Sequence, residues 1–118
     1  MRRDDDCTAD VLIAADKLEL YLAGFTFEMF LRESKTQSAV IRELTVIGEA
    51  VKQLSEEFRE QHPSVDWRGF AGMRDILTHQ YFRVDEEEVW KAATVDCPEL
   101  AAYLRPLLPA IDPGADAN

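Results

Sequence analysis

Nothing else in this chain restricts its architecture as tightly as a run of apolar residues at Val40, Leu44, Ile47, Val51, Leu54 and Phe58. Their alternating steps of four and three place all six on one stripe of a helix, and a stripe several turns long must be covered by another helix. Gly48 lies beside it in Ile47-Gly48-Glu49-Ala50. A glycine there costs helix stability but lets a second backbone come close. Ser34 and Gln37 have the S-x-x-Q spacing of a capping box, which places the start of this helix. The predicted helix runs from there through Phe58.

Helical spacing dominates on either side. Thr8 is the expected cap of a helix to Leu22 carrying Val11, Ala14, Leu18 and Tyr21, with Gly24 as its stop. Thr26 is expected to cap a short helix bearing Phe27, Phe30 and Leu31 that ends near Ser34. Pro63 interrupts the pattern, and Asp66 can cap a new helix from Trp67. Asp85 with Glu88, and Asp96 with Glu99, have capping-box spacing ahead of two short helices containing Val89 and Trp90, then Leu100, Tyr103 and Leu104. No segment shows sustained two-residue alternation, and no repeat is visible. The expected fold is an all-α antiparallel helical bundle over residues 8–108. Residues 1–7 are expected to be a flexible N-terminus and residues 109–118, with two prolines and a glycine, a disordered tail.

Composition narrows the classes of function. At 118 residues the chain fits one domain, and 47% hydrophobic with 31% charged residues argues for a folded globular protein. The net charge of −10 opposes non-specific binding to a polyanion, so a nucleic-acid role requires a local basic cleft. Cys7 and Cys97 lie far apart without metal-ligand spacing, which signals neither a zinc site nor a disulfide framework. The charged first ten residues lack the apolar core of a signal peptide, and no apolar run approaches the length of a membrane span. A cytoplasmic protein is the expectation.

The chemistry gathers in Met73-Arg74-Asp75-Ile76-Leu77-Thr78-His79-Gln80-Tyr81. At roughly 100° of turn per residue, Phe70, Met73, Leu77 and Tyr81 share one helix face, and Gly72, Asp75 and His79 the opposite one. Histidine is the side chain suited to proton transfer near neutral pH. Asp75, four residues before His79, is placed to orient its imidazole. Arg74 falls about 140° around from His79. Three solutions stay open: the helix loosens near Gln80, the long arginine sweeps round, or Arg74 of one subunit meets His79 of another across a two-fold axis. With a phosphodiester in such a cleft, Arg74 could bind a non-bridging oxygen and histidine could act as general base and acid, the RNA 2'-hydroxyl being the nucleophile. The bland alternatives are a solvated helix face for Arg74 and Asp75 and a core or interface aromatic for Tyr81. His62, in a loop without a spaced partner, reads as exposed.

Arg74-x4-His79-x-Tyr81 matches the R-x4-H-x-Y motif of HepT-like toxins of the HEPN superfamily. The stretches Ile47–Leu54, His62-Pro63, Trp67-Arg68 and Ala71–Arg74 stand in the order that family shows. The resemblance covers about residues 8–108. It implies a helical homodimer in which the Arg74 and His79 pairs form a ribonuclease cleft that needs neither a metal nor another cofactor. It further implies a prokaryotic toxin-antitoxin module of the type VII kind, in which a minimal nucleotidyltransferase antitoxin transfers AMP from ATP onto the motif tyrosine, here Tyr81. Gln80 departs from the pattern, standing where relatives often carry glycine. From another class of function comes a non-catalytic helical partner that holds substrate for, or regulates, a nucleotidyltransferase; a purely structural dimer through the Val40–Phe58 seam is the third reading.

Overall fold

The computed structural model describes residues 3–80 and 84–108. Along them run α1 (Asp4–Leu22), α2 (Phe27–Leu31), α3 (Ser34–Gln53), α4 (Glu56–Gln61), α5 (Trp67–His79), α6 (Glu86–Lys91), a π turn (Ala92–Asp96), α7 (Cys97–Leu104) and a closing 3-10 turn (Arg105–Leu107). There is no strand among the described residues, as an all-α bundle requires. The expected tail at 109–118 and Tyr81 lie outside the described residues.

The apolar stripe forms the centre. Val40, Leu44, Ile47 and Val51 on α3 are fully buried, and α1 covers them with Val11, Ala14, Leu18 and Leu22. Burying side chains of this size stabilises the fold by about 1.5–3 kcal/mol each. The pairing of α1 with α3 is therefore the main apolar contact, and α5 packs on another side of α3.

Several boundaries differ from the sequence-based expectation. α1 starts at Asp4, so Thr8 is not a cap but a buried residue inside the helix, and residues 4–7 belong to the fold rather than to a flexible lead-in. Asp4, Asp5 and Asp6 fill the first turn, where carboxylates complement the exposed N–H groups and the helix dipole. Asp4 also accepts hydrogen bonds from Ser55 N (2.8 Å) and Ser55 Oγ (2.7 Å), fastening this end to the α3–α4 corner. At that corner lies the second difference. Leu54 turns extended (φ −62°, ψ 143°), and Ser55 caps α4 by accepting from Phe58 N at 3.0 Å. The stripe continues to Phe58, but the helix does not.

The Ser34 capping box places the start of α3 correctly by a device that is not used. Glu33 is the N-cap residue, its carboxylate accepts from Thr36 Oγ1 (2.8 Å), and Gln37 donates to Phe30 O (2.8 Å), tying α3 to α2. Thr26 does cap α2, accepting from Met29 N at 3.2 Å, and Gly24 at φ 77° supplies the left-handed turn after α1. Finally, Asp96 is not a cap. α6 passes into α7 through the π turn, with Asp96 in helical geometry and Cys97 N–H donating to Ala92 O. Pro98 has no N–H and would break an ordinary helix; the widened turn just before it absorbs the missing bond. The Asp85 cap holds, though onto Glu87 N (2.9 Å) rather than through a reciprocal bond with Glu88.

Candidate functional site

α5 carries the motif, and its ends are fixed locally. Asp66 caps it by accepting from Gly69 N (3.0 Å), and Trp67 anchors the first turn by donating Nε1–H to His62 O (2.9 Å). The helix stays regular through His79 and ends at Gln80, whose N–H donates to Ile76 O (2.9 Å). Gln80 has φ −127°, a value open to any L-residue, so this helix end does not depend on glycine. The apolar face is the expected one in its described part: Leu77 is buried, Phe70 and Met73 pack against the core, and Asp75 and His79 are exposed on the opposite side.

Gly48 brings α3 and α5 together at the motif. A Cβ on Gly48 would collide with Arg74 Cβ and stand 3.0 Å from Phe70 O. The close approach seats Arg74 on α3, where Nε lies 2.7 Å from Glu49 Oε2. Both atoms are buried and the N–H is out of line with the oxygen, so this is an ion pair without a well-formed hydrogen bond. On its other side Arg74 Nη1 donates to Asp75 Oδ1 (3.2 Å), and Lys52 Nζ donates to the same oxygen (2.9 Å). Hydrogen bonds from Lys52 first and Arg74 second hold the Asp75 carboxyl below its ordinary value of 3.8, outweighing the opposing effect of desolvation.

Of the sequence-predicted residues, Arg74 and Asp75 are thus brought together and His79 is not joined to either. His79 makes no hydrogen bond or ion pair with any described residue. The expected Asp75–His79 bond is replaced because two cations reach the carboxylate: an ammonium and a guanidinium donor on one oxygen together outweigh a single imidazole N–H. Tyr81, the fourth residue, lies outside the described residues. Spacing alone missed Glu49 and Lys52. Their signal was Gly48 itself, since residues one and four positions beyond a close helix contact flank it.

His62 is not simply exposed. It is partly buried, its Nδ1 shares a 2.7 Å hydrogen bond with Tyr103 Oη of α7, and its ring lies tilted against Phe58 with centroids 4.6 Å apart. This cluster joins the end of α4 to α7. Along the edge of α5 away from Arg74 runs an open groove of about 790 Å³, floored by Phe70, Met73, Ile76, Val89 and Leu100. Asp66, Asp85, Glu88, Asp96 and Glu99 line it against only Arg68 and Lys91, so on balance it repels rather than attracts a polyanion. Among the described residues no helix is long and apolar enough to cross a membrane.

The family model described as "Ribonuclease HepT-like" matches residues 11–107. A protein of Thermococcus cleftensis named "Probable ribonuclease HepT" is 42% identical over 99 residues, covering 84% of this chain and 90% of the relative. A Methanocaldococcus jannaschii protein whose name describes it as a putative RNase is 37% identical over 109 residues, covering 92% of this chain and 89% of its own length. Another of that description, from Caldanaerobacter subterraneus, is 42% identical over 85 residues, 72% of this chain and 76% of the relative. No solved structure matches. On the family match and these relatives, the chain belongs to the HepT-like ribonuclease family.

Proposed function

We propose that this protein is a ribonuclease toxin that acts as a homodimer in the cytoplasm, with Arg74 and His79 as its catalytic residues. The observation that carries the reading is the placement of both on one regular helix, with Arg74 drawn toward α3 and His79 left unpartnered among the described residues. A single protomer does not join the two side chains, and a second copy related by a two-fold axis would supply the missing partner to each cleft. There Arg74 would neutralise a non-bridging phosphate oxygen. One His79 would take the proton of the RNA 2'-hydroxyl as its oxygen attacks phosphorus, and the other, protonated, would give a proton to the departing 5'-oxygen. The P–O5' bond breaks, leaving a cyclic phosphate and a 5'-hydroxyl.

The same reading includes control by a minimal nucleotidyltransferase antitoxin. The Tyr81 hydroxyl oxygen would attack the α-phosphorus of ATP, pyrophosphate would leave, and the hydroxyl proton would be released. An anionic nucleotide two residues from His79 would both repel RNA phosphate and fill the cleft. Intact mass after incubation with the antitoxin and ATP tests the acceptor. Tyr81→Phe gaining the same mass as wild type would refute the choice.

Expressing the chain alone beside Arg74→Ala and His79→Ala tests the enzyme. Growth arrest and RNA breakdown are expected for wild type only; equal growth and intact RNA in all three overturn the proposal. Light scattering that shows only monomer at working concentration would remove the composite cleft. The non-catalytic alternative draws on the two carboxylates, Glu49 and Asp75, that already occupy Arg74. It requires binding to a nucleotidyltransferase without RNA cleavage and unaffected by His79→Ala.

A further inference from the structure

Two cations from different helices meet on one carboxylate oxygen at the α3–α5 edge. Lys52 Nζ lies 2.9 Å and Arg74 Nη1 3.2 Å from Asp75 Oδ1. We propose that Lys52 and Arg74 together form the seat for the RNA phosphate, and that Asp75 occupies this seat until the phosphate displaces it. The proposal rests on the ribonuclease reading and adds a substrate-binding residue, Lys52, and a resident competitor, Asp75.

Three features of the edge carry it. First, a carboxylate oxygen held by an ammonium and a guanidinium has the hydrogen-bonding environment of a non-bridging phosphate oxygen, so the two anions compete for the same donors. Second, the seat is open: the side chains of Lys52 and Asp75 are 39% and 51% exposed, whereas Arg74, at 22%, is held in place by the Gly48 contact and by Glu49 on Nε. An anion could therefore reach the Nη end of Arg74 without moving its stem. Third, Glu49, Lys52, Arg74 and Asp75 sum to no net charge, on a chain of −10. The cations become available to RNA only when the short, exposed Asp75 side chain turns away. His79 follows Asp75 by four residues on the same face, roughly 6 Å along the axis, which puts the seat beside the proposed proton-transfer group. The depressed carboxyl of Asp75 agrees with how firmly the two cations engage an anion.

The test is binding of a fluorescent single-stranded RNA carrying 2'-O-methyl groups, which removes the nucleophile and allows the unmutated catalytic residues to be kept without cleavage. Affinity is measured across a salt series. Lys52→Met is expected to weaken binding about tenfold, as removal of a charge-assisted hydrogen bond does, and to flatten the slope of log K against log salt by about 0.7 for each phosphate no longer neutralised. Lys52→Arg restores most of both. Asp75→Asn tightens binding, while Glu60→Gln, with the same charge change on exposed α4, leaves it nearly unchanged. A purely structural Lys52 would leave the salt slope intact. If wild type cleaves natural RNA yet Lys52→Met binds with unchanged affinity and slope, or Asp75→Asn binds no tighter than Glu60→Gln, the seat is wrong and the ribonuclease reading stands. If wild type neither cleaves RNA nor binds the oligonucleotide, both fall.

Discussion

Gly48→Ala adds one methyl group at the contact that presents Arg74. The new carbon would overlap Arg74 Cβ, sit 3.0 Å from Phe70 O and 3.2 Å from Arg74 Cα. None of these atoms is the free end of a side chain, so no change of rotamer makes room and α5 must move away from α3. Overpacking of this kind costs roughly 1–3 kcal/mol, and contacts on backbone atoms belong at the upper end. Alanine returns about 0.8–1.0 kcal/mol of helix propensity. The net loss is then about 1–2 kcal/mol, or a fall in Tm of roughly 5–15 °C for a domain of this size. Gly72→Ala is the internal comparison: a Cβ there has no neighbour within 4 Å, so propensity should prevail and Tm should rise by a few degrees. Circular dichroism melts of the three proteins at one concentration measure both shifts. A Gly48→Ala protein that melts at or above wild type would refute the close-approach argument, whatever Gly72→Ala does.

Ser55→Ala removes the α4 cap and one of the two bonds to Asp4, and should lower stability by about 1–2 kcal/mol in urea unfolding. Deleting residues 1–7 takes away Asp4 and the buried Cys7 together and should reduce the Tm; an unchanged Tm would restore a dispensable lead-in. Because the Asp75 carboxyl is depressed, its contribution to stability is present above the unfolded value near 3.8 and is lost as pH falls through the lower folded value. Wild type and Asp75→Asn should therefore differ at neutral pH and converge in acid, and a gap that widens in acid would contradict the sign. Burial first, and the neighbouring Asp96 charge second, push the Cys97 thiol up to about 12. It should resist a thiol reagent at pH 8 in the folded protein and react on unfolding, so rapid reaction of the native protein would count against its burial.

Much of the bundle is legible in residue spacing because helices write their own period. The caps at Thr26, Asp66 and Asp85 act over two or three residues and are visible locally. So is the role of Gly48, since a glycine beside a long apolar stripe has few other uses. What spacing could not show are the arrangements settled between distant segments. The α3–α4 break depends on Ser55 reaching Asp4, 51 positions earlier. Within α5 the i to i+4 rule favoured His79 as the partner of Asp75; the actual partner on α3, Lys52, lies 23 positions away and carries a full charge. The order of motifs identified the family, while the distribution of charge around Arg74 required the fold.

The π turn at Ala92–Asp96 has a bearing on how two contacts of the same rod are kept in step. Before it, Trp90 lies 5.9 and 5.4 Å, ring to ring, from Phe27 and Phe30 of α2; after it, Leu100 and Leu104 are buried on the helix that packs against α1. An ordinary helix advances about 100° per residue, so one residue more or fewer there would leave one of these contacts facing the wrong way. The widened turn acts as a phase adjuster between them. Its length, together with the two small side chains it buries, Ala92 and Ala93, lets one rod serve both the aromatic contact and the contact with α1.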